Sequence, residues 1–197
     1  MLPSMESQGT VDVTDEDRLL ERARSGDRQA FEELMTTHLQ RVWRVVWSIL
    51  RHAEDTEDVV QEVFLAAHRS LATYRGDSRF STWLHRIAVN RALNHRDRMS
   101  EKVRRDSRPL EDEGGPLEIP DGSSSPLREL EMKELKRKLS ECMERIPPAW
   151  RAVLALKVEG SLSYEEIAGA VGIAIGTVRS RLARARLALR RCIEGET

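Results

Sequence analysis

The stretch SYEEIAGAVGIAIGTVRSRLARARLALRR, Ser163 to Arg191, divides into a helix, a short turn around Gly172 to Gly176 and a second helix, the pattern of a helix-turn-helix. At ~100° per residue, Val178, Leu182, Ala185 and Leu189 fall on one side of the second helix and can bury against Ile167, Ala168 and Val171. The other side is cationic. Arg179, Ser180, Ala183, Arg184, Arg190 and Arg191 occupy it, Arg181 and Arg186 flank it, and no acid interrupts the run until Glu194. Guanidinium forks pair with guanine edges in a major groove, while flanking arginines and the helix N-terminus around Thr177 hold phosphates. A merely solvated basic face is the alternative reading. The turn and short helix ahead of it, spaced as in a reading head, speak against that.

The composition changes from Asp106 to Pro126. Pro109, Pro116, Pro120 and Pro126 combine there with Gly114, Gly115, Gly122, four serines and six acids, against the single base Arg108. Such a stretch buries too little apolar surface to offset its ordering entropy, so 106–126 reads as a flexible acidic linker. It separates an N-terminal unit, 15–105, from a C-terminal unit, 127–197, with 1–14 expected as a disordered N-terminus. In both units apolar residues recur at three and four and never alternate at two for long, so the expected fold is all-α, two small helical domains with no sheet. Thr14-Asp15-Glu16-Asp17 looks like a helix start and Gly26 a stop. Further helices are predicted at about 28–51, 55–73, 78–99, 129–145, 148–158, 163–171 and 176–193. The first of these carries the stripe Phe31, Leu34, Met35, His38, Val42, Val45, Val46 and Ile49, widened by Trp43 and Trp47.

The 197 residues carry a net charge of −1, with 33% charged, 40% hydrophobic and 5% aromatic, a balance that argues against disorder throughout. The longest apolar stretch, Val42 to Leu50, is interrupted by Arg44 and falls far short of the ~20 residues that span a bilayer. The first residues show no cationic start followed by an apolar run, so a cytoplasmic location is expected, with Met1 or Met5 as the start. Cys142 and Cys192 lie far apart without a CxxC or a nearby His pair. They support neither a zinc site nor a disulfide framework, and read as two small buried or half-buried side chains. His38, His52, His68, His85 and His95 are scattered without an HExxH pattern or carboxylate pairing. No catalytic residue, metal or cofactor is therefore expected, and the chain does not read as an enzyme.

Two N-terminal segments carry further information. In DTEDVVQEVFLAAHRSL, residues 55–71, Val59, Val60, Val63, Phe64 and Ala67 line one side and Asp58, Gln61, Glu62, Leu65 and Arg69 the other. A lone leucine among acids suits docking of a basic protein and repels a nucleic-acid backbone, although by itself it also suits an ordinary solvated face. From Tyr74 to Arg105 nine Lys or Arg stand against Asp77, Asp97 and Glu101. Leu84, Ala88, Val89 and Ala92 can face the core, while Trp83, Arg86, Asn90 and Asn94 share the other side. Carboxamides beside an aromatic can read the edges of unstacked bases, and the Gly76-Asp77-Ser78 turn can shape a pocket next to them. A Trp83 packed inward is the alternative.

Together DVVQEVFLAAHRSL, YRGDSRFSTWLHRIAVNRALN and LSYEEIAGAVGIAIGTVRSRLARAR resemble the sigma factors of bacterial RNA polymerase, specifically the extracytoplasmic-function (ECF) type of the sigma-70 family. The resemblance covers nearly all of the chain outside the first dozen residues and the linker. It implies a promoter-specificity subunit that binds core polymerase and has no catalysis of its own. Asp58, Gln61, Glu62 and Leu65 would meet the clamp helices of the largest polymerase subunit. The loop Tyr74 to Phe80, with Arg75, Asp77 and Ser78, would hold a flipped base, and Trp83, Arg86, Asn90 and Asn94 would read and melt the downstream, −10, element. Thr177, Arg179, Ser180, Arg181, Ala183, Arg184 and Arg186 would read the upstream, −35, element, with only a slight apolar contact from Ala183. The outer helices of the C-terminal unit would touch the flap of the second-largest subunit, the acidic linker would mimic nucleic acid inside the polymerase, and an anti-sigma factor would cover the polymerase-binding faces. The competing reading is a stand-alone helix-turn-helix repressor, which accounts for the C-terminal arginines but not for Asn90, Asn94 and the acidic face.

Overall fold

A computed structural model describes residues 13–106 and 126–195. Its elements are α1 (Val13–Arg24), α2 (Arg28–Leu50), α3 (Ala53–Ser70) with a 3-10 turn (Leu71–Thr73), α4 (Phe80–Asp106), α5 (Pro126–Glu144), α6 (Pro148–Val158), α7 (Tyr164–Val171) and α8 (Ile175–Glu194), with no strand among the described residues. The all-α expectation holds. The expected tail 1–14 and linker 106–126 lie outside the described residues, except that Val13 and Thr14 open α1, Asp106 closes α4 and Pro126 opens α5. α4 runs seven residues beyond its predicted end at 99, since Glu101, Lys102, Arg104 and Arg105 are good helix formers and no glycine or proline stops it before the linker.

α2 is the central helix. Asp27 caps it, accepting from the Ala30 amide at 3.1 Å while Arg22 braces the same carboxylate, and the two bonds hold the Asp27 carboxyl below its usual range. Ala30, Leu34, Met35, His38, Val42, Val45, Val46, Trp47 and Ile49 are buried along it, a stripe too wide for one neighbour. α1, α3 and α4 cover one part and α6 of the C-terminal unit covers another. α6 itself is buried over consecutive positions Arg151 to Leu156, as a helix apolar nearly all round must be. The linker composition permits both compact and extended arrangements, and the chain takes the compact one.

Polar bonds line the seam between the units. Arg151 of α6 donates to the Ile49 carbonyl at the end of α2 (2.9 Å) and to the Met143 carbonyl of α5 (3.3 Å). Arg44 pairs with Glu159 at 2.5 Å, Thr82 donates to Glu166 at 3.0 Å, and Arg51 reaches the side chain and carbonyl of Ser140 and, at 3.5 Å, Glu144. Burial beside Arg51 and Arg96 brings the Arg151 guanidinium down to about 10, which still leaves it charged near neutral pH. At Gly160 the backbone approaches α4 so closely that a Cβ would stand 2.8 Å from the Leu156 carbonyl and 3.0 Å from His85 Nδ1, so only glycine fits.

The cysteines depart from expectation. Cys142 and Cys192 are joined in a disulfide, their Cα atoms 5.7 Å apart, because α5 and α8 lie side by side although 50 residues separate the two positions. On a chain-entropy account, closing that loop stabilises the fold by ~4 kcal/mol.

His85 generates a pH prediction. It is buried at the seam, and desolvation first, then His38 and Arg41, lower its pKa to about 4 from an ordinary 6.5. Between those values the unfolded chain binds a proton that the folded chain excludes, so stability rises with pH across the window and is lost as pH falls from 6.5 toward 4. The expected loss is about 3 kcal/mol by pH 4. Denaturant midpoints of wild type and His85→Leu across that range check it: the variant should lack this slope above pH 4.5.

Candidate nucleic-acid interface and acidic docking face

The turn between α7 and α8 is set by local chemistry. Ser163 caps α7 in a reciprocal capping box, its hydroxyl accepting from the Glu166 amide at 3.1 Å and the Glu166 carboxylate from the Ser163 amide at 2.8 Å. The bond from the Ser163 amide, aided by one from the Thr82 hydroxyl, keeps the Glu166 carboxyl below its usual range. Gly172 ends α7 in the left-handed region at φ 69°, and α8 starts three residues later with no side-chain cap and no acid in its first turn. Its N-terminal amides and dipole therefore face solvent without a resident anion. Val178, Leu182 and Ala185 are buried, and Leu189 is half-buried.

That burial turns the arginines outward. Arg179, Ser180, Ala183, Arg184 and Arg186 are exposed, and Thr177 and Arg181 are half-buried at the edges of the face. Arg190 is paired with Glu194 at 2.9 Å. Arg184 lies over the Trp150 ring of α6, 5.9 Å from its centroid, so the indole braces the guanidinium. The sequence did not single out Trp150; its place at the start of a short, largely apolar helix was the signal available.

In the N-terminal unit the carboxamides Asn90 and Asn94, with Arg86, are exposed on one side of α4, as expected. The loop ahead of α4 is arranged differently. Tyr74 and Phe80 are buried, and with half-buried Trp83 they form an aromatic cluster with centroids 5.2–5.8 Å apart. The Tyr74 hydroxyl donates to the Ser78 carbonyl across the loop, and burial raises its pKa. These rings pin the loop to the core, which leaves Arg75, Asp77 and Arg79 exposed and Ser78 half-exposed at its rim, with Gly76 at φ 81° making the turn.

On α3, Asp58, Gln61 and Leu65 share an exposed face, with Leu65 57% exposed. Glu62 is half-exposed and pairs with Arg91 of α4 at 3.7 Å. The histidines have structural neighbours instead of a common site. His52 caps α3, His95 meets Asp55 at 3.2 Å, His68 lies edge-on to Phe31, and His38 and His85 are buried. Among the described residues no helix is long and apolar enough to cross a membrane.

Among the described residues, then, two helical units present a basic face on one and separate acidic and carboxamide faces on the other. The Sigma-70 region 2 family matches residues 34–101 and the Sigma-70 region 4 family residues 136–189. The RNA polymerase sigma-H factor of Pseudomonas aeruginosa is 33% identical over 183 residues, 90% of this chain and 93% of that one. The ECF RNA polymerase sigma-E factor of Escherichia coli is 38% identical over 177 residues, 87% and 90%. The fold is shared with the sigma factor RpoE from Bartonella quintana in complex with the anti-sigma factor NepR, at a TM-score of 0.69 and 20% identity over 85% of this chain and 98% of that one. It is shared also with CnrH in complex with the cytosolic domain of CnrY, at 0.61 and 23% over 93% and 99%. The chain belongs to the sigma-70 family of RNA polymerase sigma factors and is of the ECF type.

Ser163→Ala removes half of the capping box. It should cost about 1 kcal/mol in denaturant unfolding, and Ser163→Asp should restore most of the loss.

Proposed function

We propose that the chain directs core RNA polymerase to promoters by dividing three tasks among three faces. The α3 face of Asp58, Gln61, Glu62 and Leu65 docks on the basic clamp helices of the largest polymerase subunit, with Leu65 as the apolar anchor inside an acidic rim. Asn90 and Asn94 read the −10 element with Arg86 and Trp83 beside them. Arg75, Asp77 and Ser78 form the rim that receives a flipped base, and Tyr74 and Phe80 act by holding that rim in shape. The α8 face reads the −35 element as duplex: Arg179, Ser180 and Arg184 lie toward base edges, Ala183 sits against them, and Thr177, Arg181 and Arg186 lie toward the phosphates. Residues 15–105 and 127–197 serve as the two functional domains.

The observation that carries this reading is the opposition of charge between exposed faces. The acidic α3 face repels a nucleic-acid backbone and fits a basic protein, whereas the α8 face, with its uncapped N-terminus, fits DNA. α5 exposes Met132, Leu135 and Leu139 along one side, an apolar stripe suited to the flap of the second-largest subunit or to an anti-sigma factor, and Leu130 on the other. The protein performs no reaction itself and works in the cytoplasm, where polymerase and promoter DNA meet.

Reversing Asp58 and Glu62 to Lys should weaken binding to core polymerase on a sizing column while leaving the thermal midpoint nearly unchanged; unaltered co-elution would remove the docking assignment. Arg184→Ala should cost about 1–3 kcal/mol at one upstream base pair in competition binding, where a uniform loss over all sequences would mark a phosphate contact instead.

A further inference from the structure

We propose that Cys142 and Cys192 are a thiol–disulfide couple that latches the C-terminal unit onto the N-terminal unit, so that the redox state of this pair sets how readily the units part. The bond ties α5 to the far end of α8, nearly two turns beyond Arg186, outside the stretch Thr177 to Arg186 assigned above to DNA. It fixes the last turns of α5. Cys142 stands between Ser140 and Glu144, the two residues that Arg51 of the N-terminal unit reaches. Beside it, the Met143 carbonyl takes the Arg151 guanidinium that also holds Ile49 at the end of α2. Otherwise α5 packs chiefly on α8 and leaves Leu130, Met132, Leu135 and Leu139 largely in water. A helix so thinly packed holds its place weakly without the cross-link. With the bond closed, the turn that both arginines grip is fixed.

The surroundings suit reversible chemistry. Cys142 is buried and Cys192 half-buried, with Arg145 Nη1 3.9 Å from the Cys192 sulfur. A guanidinium there favours the thiolate, the attacking form. In the reduced protein the Cys192 thiolate attacks a low-molecular-weight disulfide, forming a mixed disulfide and expelling one thiolate. The Cys142 thiol then gives up its proton and attacks the Cys192 sulfur, expelling the second. Two protein thiols are oxidised to one disulfide and the small disulfide is reduced to two thiols; a dithiol reductant reverses both steps. In a reducing compartment such a pair is characteristically transient and regulatory.

The consequence of parting rests on the functional reading. Elements named −10 and −35 lie about 25 base pairs apart, roughly 85 Å of B-form duplex. A compact chain of this length has a radius of gyration of ~16 Å, so it cannot present a face to each element at once. The latched form is then a resting form.

Hydrogen exchange on the full chain, in oxidised and in reduced glutathione, tests the latch. Reduction should speed exchange at least tenfold both in α5 and in the Trp47 to Arg51 turn at the end of α2, and should hasten open-complex formation with core polymerase. The double variant Cys142→Ser with Cys192→Ser should behave as reduced in both buffers; if it does not fold, wild type before and after reduction gives the same comparison. A pair that keeps both thiol hydrogens under oxidant, read by mass, overturns the proposal. So does loosening of α5 with the α2 turn unchanged, which would make the bond a staple of the C-terminal unit alone. Faster exchange at both places with no polymerase binding in either state upholds the latch and counts against the functional reading instead.

Discussion

The apolar girdle of α2 is the constraint on which the molecule is built. Val42, Val45, Val46 and Ile49 are fully buried, and no single neighbour can cover them together with Leu34 and Trp47. α1, α3 and α4 form the N-terminal unit around part of that surface, and α6 closes the remainder from across the chain. The end of α2 brings its last carbonyls to the same seam, where Arg151 satisfies one of them. A buried guanidinium is costly unless bonded, so α6 is held in one register as well as in place.

From that packing the functional faces follow by exclusion. Apart from α5, which leaves apolar residues in water, the helices turn their apolar stripes to the core or the seam, and what remains outside is sorted by charge. α3 keeps Asp58, Gln61 and Leu65 outside, α4 keeps Arg86, Asn90 and Asn94, and α8 keeps its arginines. A net charge of −1 would suggest no affinity for DNA at all. Segregation makes it possible for one chain to offer an acidic surface to protein and a basic one to DNA, each within the short range over which charges act in salt.

Much of this is legible in the sequence because it is written locally. The 3.6-residue period of α2 and α8 and the turn at Gly172 are patterns within a few positions, so the two helices and the outward arginines can be read directly. What was not legible depends on neighbours remote in the chain. Trp150 under Arg184, Thr82 donating to Glu166, Arg151 reaching Ile49, and Cys142 bonded to Cys192 all join positions that become adjacent only once α2, α5, α6 and α8 are packed. Tyr74 and Phe80 are an intermediate case. The sequence marks the loop as special, but whether its rings face outward or pin it from beneath is decided by the space left between α1, α2 and α4.

The account is tested most directly by transcription from a randomised promoter library with core polymerase and this chain as the only specificity factor, followed by sequencing of the templates used. It predicts selective initiation on templates that share two motifs at a fixed spacing, the upstream one tolerating no loss of duplex and the downstream one melted. Absence of selective initiation, with tight binding of the chain alone to a single palindromic duplex site, would contradict it.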